Sequence, residues 1–166
     1  PIPPVADLAL RRGDGAKGKT IYATIGTCAN CHQVHGEGKQ VGPDLSEIGS
    51  KLSREAMYVS ILDPSAGISH NFETYSLVTA DGLVLSGVLT SQTDDSVTMK
   101  TAEAVVHTVA RDNVDELVKS EISLMPADIH KNLSVENMVD LVEYMTMLKT
   151  KDEAPLHASV DDEPRE

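Results

Sequence analysis

The sequence predicts a mainly α fold, in which several helices share one core and a small antiparallel β-meander is inserted among them. Three observations lead there. Capped segments of apolar periodicity occur at roughly 14–26, 53–62 and 135–149. Between the second and third of these, residues 72–110 change to short β-rich runs separated by turn residues. The length of 166 residues suits a single core better than two.

Taken in order, residues 1–13 carry Pro1, Pro3, Pro4 and the pair Arg11-Arg12, and read as an extended lead-in. Asp14 is placed to cap the first helix. The stretch Val34-His35-Gly36-Glu37-Gly38-Lys39-Gln40-Val41-Gly42-Pro43-Asp44-Leu45 is a glycine-rich loop. Ser53 caps the next helix, and Asp63-Pro64 stops it. The meander comprises Tyr75 to Ala80, Leu83 to Thr90, Ser96 to Thr101 and Ala104 to Ala110. Asp81-Gly82 makes the first hairpin turn, and Thr93-Asp94-Asp95 a looser one. Residues 111–120 read as a short helix or turn leading out. The last helix starts at Ser134 and aligns Met138, Leu141, Val142, Met145 and Leu148 on one face. The segment 151–166 is polar and acidic, and reads as a disordered tail.

Composition narrows the function classes. Formal net charge is −12 and no basic patch stands out, which argues against nucleic acid as a partner. No apolar run is long enough for an integral membrane segment. Aromatic residues make up only 3% of the chain, so something other than aromatic side chains is expected to fill part of the core.

The cysteines carry the chemistry. Cys28 and Cys31 are the only two, and they stand in Thr27-Cys28-Ala29-Asn30-Cys31-His32. Two thiols at C-x-x-C spacing can add to the two vinyl groups on one edge of a haem, and the imidazole that follows then lies against the iron. A thioredoxin-type redox pair would follow a strand in a βαβ unit, whereas this pair follows a helical pattern. A zinc site would need two further ligands, and no H-x₃₋₅-H pair offers them. Covalent haem is the favoured reading.

In their wider context these residues resemble class I cytochromes c. Gly18-Lys19-Thr20-Ile21-Tyr22 is similar to that family's first-helix G-x-x-x-aromatic signature, and Leu141-Val142-Glu143-Tyr144 to its last-helix signature. Gly42-Pro43-Asp44-Leu45-Ser46-Glu47-Ile48-Gly49, Ile61-Leu62-Asp63-Pro64-Ser65 and Ser123-Leu124-Met125-Pro126 most resemble the Pirellula/Verrucomicrobium-type haem-binding domain. The resemblance implies a cytochrome c-like helical haem core within 14–150, made of 14–71 and 119–150; residues 72–118, which hold the β-rich runs, are an insertion that departs from compact members of the family. It implies crossing of the first and last helices at Gly18, where a glycine permits close approach. It also implies that the Pro43 carbonyl accepts a hydrogen bond from the His32 imidazole and orients it.

His32 is thus the expected proximal iron ligand. Met125 is the expected sixth, because it lies in an irregular loop stiffened by Pro126, and the resemblance selects it too. Met57, Met99, Met138, Met145 and Met147 lie on expected helices or strands and read as core filler or surface residues. His70, His107 and His130 are the histidine alternatives, and a five-coordinate iron is another.

The expected function is that of a monohaem electron carrier with one covalently attached haem c and its iron. With both axial positions filled it would not be an enzyme. Its partners would be redox proteins, met in small transient contacts and selected by a basic docking surface. One rival is a gas- or peroxide-binding haem domain with a displaceable distal ligand. Another is the electron-accepting module of a larger dehydrogenase, and a start at Pro1 suits either a trimmed domain or a mature exported protein. Haem attachment requires an apparatus outside the bacterial cytoplasm, so a periplasmic or otherwise exported location is expected.

Overall fold

Three short polar side chains determine where the main helices begin. The Asp14 carboxylate accepts from the backbone N–H groups of Ala16 and Lys17 at the start of α2 (Gly15–Ala23). Ser53 accepts from Ala56 N at the start of α4 (Arg54–Leu62). Ser134 opens α5 (Val135–Thr146) with a reciprocal capping box to Asn137. The structure, a computed structural model, describes residues 1–151. The tail expected over 151–166 lies, apart from Lys151, outside the described residues.

Two further helices were not expected. The lead-in is not wholly extended, since Val5–Ala9 forms a short helix, α1, that buries Leu8 and packs against α4. Pro4 stands at its N-cap and not inside it, so the prolines precede the helix rather than break it. One more turn, α3, covers Ile48–Lys51.

The principal helix contact is α2 on α5. A Cβ at Gly18 would collide with the Asp140 carbonyl, so only glycine permits this crossing. Tyr22 and Tyr144 meet edge to face beside it, with ring centroids 5.7 Å apart. Asp140 Oδ1 accepts from Asp14 N at 2.7 Å, which ties the start of α2 to α5. Glu143 on α5 forms a two-point ion pair with Arg54 on α4 at 2.9 and 3.0 Å, with both side chains less than one-fifth exposed. Met138, Leu141 and Val142 are essentially inaccessible to solvent, as the spacing along α5 predicts.

The fold is not mainly α. Helix accounts for 33% of the described residues and strand for 23%, with one five-stranded antiparallel sheet in place of a four-stranded meander. Its strands are β1 (Thr74–Thr79), β2 (Val84–Gln92), β3 (Ser96–Lys100), β4 (Val106–Ala110) and β5 (Val114–Ser120), in spatial order β4-β3-β2-β1-β5. The fifth strand falls where a helix or turn was expected, and a bulge explains the misreading. On β1 and β5 the pairs run Leu77 to Leu117, Val78 to Glu116 and Thr79 to Val114, so Asp115 is an extra residue. The bulge turns Val114 and Leu117 to the same side although they are three apart, a spacing that imitates a helix.

The sheet is strongly curled. Edge strands β4 and β5 would lie about 19 Å apart in a flat sheet. They are joined only by the 3₁₀ turn Arg111–Asn113, which advances about 2 Å per residue. Curling encloses a core of Leu77, Leu85, Val97, Met99 and Val109, backed by Tyr75, Leu89, Val114 and Leu117. This core is separate from the helical one.

Candidate functional site

The C-x-x-C-H segment follows α2 through a tight reversal. Thr27 adopts a left-handed backbone (φ 54°), and Cys28–Asn30 then form a single 3₁₀ turn. The backbone N–H of His32 bonds to the Cys28 carbonyl at 2.9 Å, and the Tyr22 hydroxyl donates to the His32 carbonyl at 3.0 Å. That second bond couples the motif to the α2–α5 crossing. The loop 34–45 wraps back over it, with the N–H groups of Val41 and Gly42 both bonding to the Cys31 carbonyl.

His32 Nδ1 lies 2.7 Å from the Pro43 carbonyl oxygen. A carbonyl can only accept, so Nδ1 carries the proton and Nε2 keeps its lone pair. Gly42 makes room for the ring, since a Cβ there would stand 2.5 Å from His32 Cε1. Burial lowers the His32 pKa, against the opposing pull of the Pro43 bond, and so favours the neutral, ligating form. Burial also raises the Cys28 thiol to about 11 and pushes Cys31 upward. These are not the activated thiolates of a disulfide exchanger. Among the described residues, no group of three or more His, Cys, Asp or Glu side chains comes together as a metal site, which gives the zinc reading no support.

Cys28, Cys31 and His32 line a cavity of about 400 Å³ between the helical body and the sheet. Its walls are mainly apolar. The proximal loop and α3 contribute Val41, Leu45 and Ile48, and α4 and α5 contribute Met57, Ile61, Leu141 and Met145. Phe72 comes from the approach to the sheet, Val88 from β2, Ala102 from the turn between β3 and β4, and Leu124 and Met125 from the loop before α5. The donor set suits a haem. Two thiols and one ring nitrogen with a free lone pair face a space bounded by hydrocarbon, where a flat apolar macrocycle could lie.

The other methionines divide clearly. Met99 is sealed in the sheet core, Met138 in the helical core, and Met147 is 64% exposed. Met57, Met125 and Met145 all reach the cavity. Met57 and Met145 project from helices and are buried among other side chains, whereas Met125 is half-buried in irregular chain. The Met125 N–H bonds to Ser123 Oγ, and the Ser123 N–H to Ser65 Oγ, so the loop is pinned to the turn after α4. None of His70, His107 and His130 lines the cavity, and His70 is exposed beside Glu73. Sequence reasoning missed Val88 and Ala102. Strand alternation could have put Val88 on the outer face of the sheet, but nothing local shows that this part of the face is covered.

Residues 15–77 match the family model for cytochrome c, a match over less than half of the chain. No curated protein matches the sequence. The matched segment contains the thiols, the imidazole and the Pro43 loop, but neither Met125 nor most of the sheet. It supports a haem-binding c-type cytochrome of class I, without distinguishing a subgroup, and the cofactor is covalently bound haem c with its iron.

Proposed function

We propose that this chain is a monohaem electron carrier in which Cys28 and Cys31 attach the haem and His32 and Met125 are the axial ligands of its iron. The observation that carries this is the convergence on one apolar cavity of both thiols, an imidazole with its Nε2 lone pair free, and a loop methionine. Haem held there supplies a one-electron couple, and a His/Met ligand pair favours its reduced state. The chain's own contribution is positioning. Pro43 holds the His32 tautomer and ring plane, Tyr22 anchors the His32 backbone, and the surrounding hydrocarbon excludes water.

Within this reading, segments 14–71 and 119–150 form the haem-binding core and 72–118 an insertion. Filled axial positions leave no place for a substrate on the metal, so the chain acts by electron exchange rather than as an enzyme. A charge of −12 suits a redox partner with a basic docking surface. Cytochrome c domains are typically exported, and no helix among the described residues is long and apolar enough to cross a membrane. A periplasmic or otherwise exported setting follows from the haem-attachment chemistry.

The test is optical. The purified protein should give a thioether-type pyridine haemochrome and, when oxidised, a weak far-red methionine-to-iron band. Met125→Ala should abolish that band and let carbon monoxide bind the reduced protein at neutral pH. An unchanged low-spin spectrum in Met125→Ala would move the sixth ligand elsewhere. Absence of covalent haem from a host competent in its attachment would end the whole reading.

A further inference from the structure

The curled sheet has no extensive packing against any helix, and the two apolar cores share no residue. One row of its outer face is nevertheless covered. Thr74, Val88 and Lys100 stand side by side across β1, β2 and β3, so their side chains leave the same face. Thr74 and Val88 are 6% and 5% exposed, and Val88 lines the cavity. Two positions further along the same face, Val84 is 63% exposed. Ala102, in the turn between β3 and β4, lines the cavity too. One side-chain tie reaches from this wall to the helical body: Lys100 Nζ donates to the Gln40 carbonyl at 2.6 Å on the side of the His32 loop.

We propose that the sheet is a clasped wall of the haem cavity, with Val88 and Ala102 as positioning residues that keep water and small ligands from the bound haem and Lys100 as the clasp. The proposal rests on the haem-binding reading above. A wall of hydrocarbon lowers the local polarity and disfavours the more highly charged oxidised iron, so it raises the reduction potential. It also slows entry of any exogenous ligand that must pass between the sheet and the His32 loop. The sheet's apolar contact is then with the cofactor, which accounts for its having so little contact with the helices.

The experiment uses the haem-loaded protein. Val88→Asn, Ala102→Asp, Lys100→Met and the outer-face control Val84→Asn are compared by redox titration and by the rate at which imidazole binds the oxidised form. Ala102→Asp sits in a half-buried turn and so keeps the test available if Val88→Asn folds poorly. Ala102→Asp should lower the potential and speed imidazole binding severalfold. Lys100→Met should speed it by up to about tenfold, the upper end for losing one ordinary, solvent-exposed hydrogen bond. Val84→Asn should change neither quantity. Movement of either quantity in the cavity-facing or clasp variants alone supports the wall. Wild-type values for both in Ala102→Asp and Lys100→Met overturn it. A wild-type protein lacking a thioether haemochrome would instead refute the haem-binding reading, which the same sample reports separately.

Discussion

The helical body and the curled sheet solve the packing problem in opposite ways. The sheet is short in sequence and complete in itself, because its five strands turn Leu77, Leu85, Val97, Met99 and Val109 inward until they fill their own interior. The helical body is longer and incomplete. Its helices run from four to twelve residues, and its walls surround a cavity of about 400 Å³. Isolated helices this short are marginal in water. Their stability comes from the crossing at Gly18 and the Arg54–Glu143 pair, and a haem held in the cavity would add to it. One region therefore fills its own interior with side chains, and the other leaves a cavity that a cofactor would fill.

The largest effect should come from removing the means of attachment. In a Cys28→Ser/Cys31→Ser chain, no haem should survive denaturing gel electrophoresis. Amide protection should fall across α2, α4 and α5 far more than across β1 to β3. Equal loss of protection in both regions would show that the sheet depends on the cofactor as much as the helices do.

Next come the two cores. Met99→Ala should cost about 3 kcal/mol, within the range for emptying a fully buried site, while leaving the haem spectrum unchanged. Gly18→Val should cost about 3 kcal/mol by overpacking the α2–α5 crossing, and should disturb the His32 environment through Tyr22. Urea unfolding followed by both haem absorbance and circular dichroism would separate these two outcomes. A spectral change in Met99→Ala would contradict the independence of the cores.

A smaller effect should follow from the ion pair. The Arg54 hydrogen bond holds the Glu143 carboxyl below its ordinary pKa. A depressed folded-state value stabilises the fold above the ordinary carboxylate pKa, and that contribution disappears as pH falls through the folded value. Arg54→Met should cost about 2 kcal/mol at neutral pH. It should also flatten the acid limb of stability against pH, read as the urea midpoint; a parallel limb in the variant would remove Glu143 as its source. The smallest change is Ser134→Ala, which should cost about 1 kcal/mol through loss of the α5 cap. A thermal midpoint unchanged from wild type would count against the capping box.

Much of the site was legible because its chemistry is local. The spacing of Cys28, Cys31 and His32 expresses the haem-attachment motif within six residues of sequence, and caps at Asp14, Ser53 and Ser134 mark helix starts by side-chain hydrogen bonds to their own neighbourhoods. The readings that failed depend on distant partners. Val5–Ala9 is helical because Leu8 finds α4, and propensity alone does not show that. The strand at Val114–Ser120 imitates a helical period because of a bulge that exists only relative to β1.

By itself, then, the sequence determined the cofactor-binding motif, the main helix starts and the β character of residues 74–110, all of which arise from residues within a few positions of one another. Only the tertiary structure decided that a five-stranded antiparallel sheet with its own core stands beside the helices. It also decided that Val88 and Ala102 face the cavity, and that Met57 and Met145 share it with Met125. The physical reason is that burial belongs to pairs of surfaces. Alternation along β2 establishes that Val84 and Val88 share a face, but only the chain folded above that face leaves one in water and encloses the other.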